Sequence, residues 1–340
     1  MASSMEDVAA RAGVSVSTVS RALRDSPLVS EATRLRVHAA AEELSFAVSR
    51  AASSLATGRL GRVAVLVGGH LGPWFNGTML DGMYEQLRAA NLDLLVYRIT
   101  DLAERQAFFE RLPARRNADA LIVASFALTA AEHERLEALG MPVVYLNQER
   151  PGAPSVSIDD IAGARAGTRY LLNLGHRRFA FVHGRHEEGF AWSATRRVHG
   201  FTAEVAAAGL TAADYQTLAF HGETDADAVV AQLLSCQELP TAVFAESDEI
   251  ALALLPALRR VGLGMPEDLS LLGFDDHEMA ARFGLSTVAQ PVFQMARKTA
   301  GLAIALADGG SPEQTRIQVE ARLVPRLTTG PPRSPLPSAL

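Results

Sequence analysis

The stretch Val16 to Leu23, VSTVSRAL, sets small and hydroxyl-bearing side chains beside a single arginine. As a helix it buries Val19 and Leu23 and turns Val16, Ser17, Ser20 and Arg21 outward. A face of short side chains with hydroxyl groups and one guanidinium suits close approach to a DNA groove. The elements that must position this face lie just upstream. Val8, Ala9 and Ala12 form an apolar stripe at helical spacing, and Ser4 with Asp7 three residues on spells a capping box. Gly13 supplies the permissive backbone for a break, and Ser15 caps the second helix. Two short helices around a glycine make a helix-turn-helix. A helical hairpin packed into a larger core has the same spacing, so spacing alone leaves both readings open.

At 340 residues the chain predicts two or three domains. An apolar content of 48% with only 6% aromatic residues predicts cores of Ala, Leu and Val. No uncharged apolar run approaches the ~20 residues that span a bilayer. The N-terminus shows no charged-then-apolar signal segment, and the one cysteine, Cys236, fits a reducing cytoplasm. The net charge of −6 argues against nonspecific polyanion binding by the whole protein. Residues 1–60 differ: seven arginines face six acids, a balance of +1, and residues 47–63 hold three arginines and no acid. A nearly neutral headpiece on an acidic body would bind DNA through local contacts and gain affinity by pairing.

After the turn Asp25-Ser26-Pro27, Ser30 caps a third helix, Glu31 to Leu44, with Leu35, Ala39 and Leu44 on its inner side. Residues 46–58 are rich in small side chains, with Leu55 the large apolar one. From Arg62 short β-rich runs alternate with helical ones: 63–67, 92–97, 120–124 and 142–147, then 178–184, 215–220, 241–245 and 269–274. Such alternation predicts two similar lobes, each a parallel sheet covered by helices. The fold class is an all-α headpiece plus a two-lobed α/β body. Its expected parts are a headpiece at 1–46, a linker at 47–60 and a body at 61–328. Lobe 1 takes about 61–159 and 291–322, lobe 2 about 160–288, and a proline-rich disordered tail takes 329–340.

Catalysis has little to rest on. The chain has no Gly-x-Ser-x-Gly turn, Walker loop or Rossmann glycine fingerprint. His183 and His186, three apart and followed by Glu187, could bind a metal, but a polar loop is the simpler reading. No cofactor is implied.

The phrases DVAARAGVSVSTVSRAL (7–23), VSEATRLRV (29–37), RAASSLATG (50–58), YLLNLGHRRFAFVHG (170–184), RRVHGF (196–201), ESDEIALALL (246–255), LLGFDD (271–276) and LSTVAQP (285–291) together resemble the lactose-repressor (LacI/GalR) family of bacterial transcription regulators. The resemblance covers residues 4–328. It implies a hinge helix in the linker, a body shaped like periplasmic sugar-binding proteins, and a cytoplasmic homodimer on a near-palindromic operator. The tail lacks the leucine heptads of family members that tetramerise.

The same resemblance assigns residues. Val16 and Ser17 face base edges, with Arg21 one turn on, able to grip guanine with two bonds. Thr18, Ser20, Ser30 and Thr33 contact phosphates, which position without specifying, and Ser4 is counted with the DNA-binding residues. Ser49, Arg50, Ala52, Ser53 and Leu55 belong to the hinge, where Leu55 wedges into the minor groove. The family's Pro-Asn before this helix is replaced by Val48-Ser49. The cleft residues are Trp74, Ser125, Asn147, Ser193, Arg197, His221, Ser247, Glu249 and Asp275. Arg197 and Asp275 could grip vicinal hydroxyls and Trp74 could stack on a pyranose. Ser247 stands where several members carry Asn. The expected effector is polar and uncharged, a sugar or glycoside; a purine or other metabolite would use the same cleft. A ligand that prefers one lobe arrangement shifts DNA affinity by a reciprocal factor, and the sequence does not set the sign. A transport receptor shares the two lobes but leaves residues 1–60 unexplained.

Overall fold

A computed structural model describes residues 4–23, 26–46, 59–148, 150–185, 189–190, 192–221 and 225–333. The chain divides into two compact units, Met1–Gly61 and Arg62–Leu340. The hinge expectation, with Ser49, Arg50, Ala52, Ser53 and Leu55, falls outside the described residues.

The first unit holds helices α1 (Met5–Ala12), α2 (Val16–Ala22) and α3 (Glu31–Glu43). Ser4 and Asp7 form the reciprocal capping box, and Ser15 and Ser30 cap α2 and α3 by accepting from Thr18 N and Thr33 N. Gly13 ends α1 at φ 67°, a left-handed conformation that favours glycine. The core gathers Val8, Ala9 and Ala12 with Val19, Ala22, Val37, Ala40 and Ala41. The expected register of α3 is corrected here. Leu35 is 65% exposed, and Val37, Ala40 and Ala41 turn inward, with Leu44 packed against them. Positions 37, 40, 41 and 44 make a full i, i+3, i+4, i+7 stripe, which 35 and 39 do not.

The second unit contains two six-stranded sheets. The first runs in the order β11-β5-β4-β3-β1-β2: β1 (Arg62–Gly68), β2 (Asp93–Ile99), β3 (Ala120–Ala124), β4 (Val143–Leu146), β5 (Ser155–Ile158) and β11 (Arg316–Val319). All its pairings are parallel. The second runs β12-β10-β9-β8-β6-β7: β6 (Phe179–Gly184), β7 (Tyr215–Phe220), β8 (Ala242–Ala245), β9 (Ser270–Asp275), β10 (Ser286–Ala289) and β12 (Arg322–Val324). Only β10 with β12 is antiparallel. Runs such as VAVLV and ALIVA are buried throughout, as strands covered on both faces by helices require.

The chain passes between the sheets after β5, after β10 and between β11 and β12. Helix α12 (Val292–Ala307) thereby returns to lobe 1 and packs on α4 (Trp74–Ala89). In lobe 2, α7 (Asp160–Asn173) packs on α8 (Trp192–Ala207). Both crossings need a missing side chain. A Cβ on Gly82 would come within 2.5 Å of the Phe293 carbonyl oxygen, and one on Gly200 within 2.5 Å of that of Ile161.

The expected tail begins too early. Thr328 Oγ1 accepts from Ser286 N at 2.9 Å, Thr329 bonds Tyr170 at 2.8 Å, and the Gly330 carbonyl meets buried His176 at 2.9 Å. These bonds fix residues 328–330 to lobe 2, against the pull of the prolines that follow. Among the described residues no helix is long and apolar enough to cross a membrane.

Replacing Gly82 or Gly200 with alanine should lower stability by about 1–3 kcal/mol through overpacking. Gly77 on α4 has open space around it, so Gly77→Ala should raise stability by up to ~1 kcal/mol. Urea unfolding of the three variants checks the contrast.

Candidate functional sites

On the headpiece, Val16, Ser17 and Arg21 share one exposed face of α2, while Thr18 and Ser20 are half-buried. Ser15 Oγ lies 2.9 Å from both Ser17 Oγ and Thr18 Oγ1, so one capping residue orients two hydroxyls. Ser4 and Ser30 occupy the caps of α1 and α3, and Ser30 Oγ donates to Thr33 Oγ1 at 2.9 Å. The structure thus sets Val16, Ser17 and Arg21 on the exposed face of α2 and Ser4, Thr18, Ser30 and Thr33 at helix N-termini, where backbone N–H groups favour phosphates.

In the second unit the C-terminal ends of strands from both sheets meet around a cavity of about 330 Å³. Open α/β sheets bind ligands at such ends. Seven expected residues line it: Ser125, Asn147, Ser193, Arg197, Ser247, Glu249 and Asp275. Several strand ends there have left-handed backbone: Ser125 (φ 60°), Asn147 (51°), Asp275 (120°) and Asp276 (63°). Side chains held this way cluster at ligand sites because the surrounding fold must enforce them.

Arg197 lies at the centre, 4% exposed. Its Nε donates to Asp160 Oδ1 at 2.8 Å, and its Nη1 donates to the Glu246 carbonyl at 2.7 Å and to Asp275 Oδ1 at 3.2 Å. The guanidinium carbon stands 3.6 Å from the centre of the Phe274 ring. Gln290 Nε2 also donates to Asp275 Oδ1 at 2.6 Å. Burial is the largest influence on Asp275 and pushes its pKa up to about 6, against the pull of Arg197 and Gln290. Burial also raises Asp160, again opposed by Arg197.

Asn147 Nδ2 donates to Ser193 Oγ at 2.9 Å, joining the lobes. Asn147 Oδ1 and Ser125 Oγ are buried and find no partner among the described residues. An unmet buried polar atom costs about 1–3 kcal/mol. A ligand carrying hydroxyl groups would satisfy both.

Two expected residues are placed elsewhere. The Trp74 ring lies against that of His277, centroids 5.2 Å apart and planes tilted by 32°, outside the cavity, and only its backbone N–H reaches the site by donating to Glu249 Oε1 at 3.1 Å. Phe75 lines the cavity instead. Neighbouring helical residues point about 100° apart, so the GPWF phrase placed the correct turn but the wrong ring. His221 is exposed at the end of β7, the outermost strand of its sheet, away from the strand ends that converge. Sequence reasoning missed Glu246, which follows β8 and whose carbonyl accepts from Arg197, and Gln290 and Asp160, which lie beside crossovers. Among the described residues no cluster could hold a metal ion; His186 and Glu187 lie outside them.

Residues 4–49 match the family described as bacterial regulatory proteins, lacI family, and residues 168–329 match the periplasmic binding protein-like domain. The HTH-type transcriptional regulator GalR of Escherichia coli (strain K12) is 33% identical over 324 residues, 92% of this chain and 92% of that protein. The chain belongs to the lacI family. It is a DNA-binding transcriptional regulator, as are these relatives, and not an enzyme. The HTH-type transcriptional repressor PurR of Vibrio atlanticus (strain LGP32) is 29% identical, over 84% of this chain and 86% of that one. The solved transcriptional regulator CelR-cellobiose complex superposes with a TM-score of 0.68 at 28% identity, covering 96% of this chain and 99% of that one.

Asp275 gives this lacI-family site a pH signature. Its folded pKa of about 6 lies above the ordinary 3.8, so the folded state holds the proton more tightly. The stability this contributes is complete below pH 3.8 and is lost as pH rises to about 6. Asp275→Asn should therefore gain stability relative to the parent between those values and show no further trend above them. Urea unfolding at pH 4, 5, 6 and 7 measures the difference.

Proposed function

We propose that the protein is a homodimeric repressor of a near-palindromic operator, controlled by a sugar or small glycoside in the interlobe cavity. The observation that carries the ligand class is the pair of unmet buried atoms, Asn147 Oδ1 and Ser125 Oγ, beside the Arg197–Asp275 pair. Hydroxyl groups donate and accept, so one polyol can answer all four. The cavity volume of about 330 Å³ suits a ligand of monosaccharide size. GalR and the CelR-cellobiose complex among the relatives support the same class. A second reading, a purine-sensing regulator whose ligand strengthens DNA binding, draws on the PurR relatives and on the flat apolar rings of Phe75 and Phe190 in the wall.

DNA reading rests on the exposed face of α2. Arg21→Ala should cost about 1–3 kcal/mol against the preferred operator and relax base preference at one position in each half-site. Gel-shift titration with fragments from the protein's own genome checks this, and the absence of any sequence-specific shift would overturn the reading. Thermal-shift screening of neutral sugars against purines should stabilise the parent protein with a sugar, and Asp275→Ala should abolish the shift. Stabilisation by purines alone would favour the second reading.

A further inference from the structure

Arg105 is a buried arginine that neither DNA reading nor the cavity uses. It lies on α5 (Leu102–Arg111) of lobe 1 and is only 5% exposed. A guanidinium so removed from water must have its donors met. Within its own lobe, Nε and Nη2 each donate at 2.7 Å to the two oxygens of Glu132, and Nη2 also donates to the Ala127 carbonyl at 2.6 Å. The third direction leaves the lobe. Nη1 donates at 3.0 Å to the carbonyl of Gly189, which lies between β6 and α8 of lobe 2.

The next residue makes the contact two-sided. The Phe190 ring stacks on buried Phe126 of lobe 1, with centroids 5.8 Å apart and planes at 28°. The Arg105 guanidinium carbon lies 5.3 Å from the centroid of each of these rings. Two glycines leave room for the assembly. A Cβ on Gly189, at φ +86°, would fall 2.6 Å from Arg105 Nη1. A Cβ on Gly68, at the end of β1, would fall 3.0 Å from the Phe190 ring and 3.2 Å from that of Phe126. Phe190 is also a wall of the effector cavity.

We propose that Arg105 is a positioning residue: it latches lobe 2 to lobe 1 by seating Phe190 in a socket formed by Gly68, Phe126 and its own guanidinium, and so fixes the size of ligand the cavity admits. The size-setting clause rests on the cavity being the effector site; the latch does not. A ligand small enough to fit with Phe190 seated strengthens the closed arrangement. A larger one displaces Phe190 and breaks the Gly189 bond with it. Lysine cannot replace Arg105, because one ammonium cannot fork in three fixed directions.

The test uses the ligand-free full-length chain. Trp192, close after the latch, is one of two tryptophans, so Trp74→Phe makes it the sole reporter. In that background, Arg105→Met and Arg105→Lys should both raise acrylamide quenching of Trp192. In the native background, Phe190→Ala, altered from the other lobe, should raise the radius of gyration in small-angle scattering, as Arg105→Lys should. If Arg105 only braced lobe 1 through Glu132, the variants would melt earlier, lysine would restore much of that loss, and Trp192 quenching would stay at the parent value. That result, or an unchanged radius in Phe190→Ala, overturns the latch. Should Arg105→Met fail to fold, Phe190→Ala and Arg105→Lys decide it. With the latch upheld, an unchanged preference for larger over smaller sugars in Phe190→Ala would overturn the size-setting role alone.

Discussion

Burying a guanidinium is tolerable only when fixed acceptors answer its donors, and the body of this protein meets that constraint at Arg197 through Nε and Nη1. Its partners are distributed so that they cannot be supplied by one lobe element. Asp160 opens α7 immediately after the first passage between the sheets, and Asp275 closes β9. Asp275 is held in turn by Gln290, at the second passage. The polar residues at the centre of the cavity are therefore bonded to residues beside two of the passages between the sheets. A ligand that competes for Asp275 or Arg197 would act on bonds beside those passages. Differential affinity of this kind is what allows a small molecule to shift a conformational population.

The two lobes show how few aromatic residues such a body requires. Six per cent of the chain is aromatic, and the fully buried large side chains are led by six phenylalanines. Much of the remaining core is Val, Leu and Ala on strands covered from both faces. Glycine then does the work of close approach, at Gly82 and Gly200 in equivalent helix crossings of the two lobes.

Much of this was legible in the sequence. Six inner strands, β1, β3, β4, β6, β8 and β9, announced themselves as short apolar runs because they are largely buried, and the edge strands β2 and β7 were apolar enough to be read with them. The capping box at Ser4 and the caps at Ser15 and Ser30 were readable because capping is local chemistry. The strands β5, β10, β11 and β12 were not among the runs, being three or four residues long and in part alternating, as in SVSI and RIQV. The inner face of α3 was misjudged because a helix with few large residues offers two competing stripes, and only tertiary packing chooses. Cleft residues at strand ends were placed by the family pattern and found on the cavity wall. Trp74 and His221 were not, one because of a single step of helical rotation, the other because sheet order, invisible in sequence, puts β7 at an edge. Arg105 left no signal at all. Its environment is assembled from four separate parts of the chain.

The passages between sheets also set an order of assembly. A chain emerging from the ribosome delivers the headpiece with its core complete by Phe46. The body behaves otherwise. The first sheet waits for β11 and for α12, its packing partner, and the second waits for β12 and the threonines beyond it. Neither half can finish until nearly the whole body has been synthesised, and parallel pairings between distant segments form slowly. During that interval both sheets present unsatisfied edges. A nascent chain can thus carry a folded DNA-binding headpiece before it carries a ligand sensor, and truncation anywhere before residue 325 would release the first without the second.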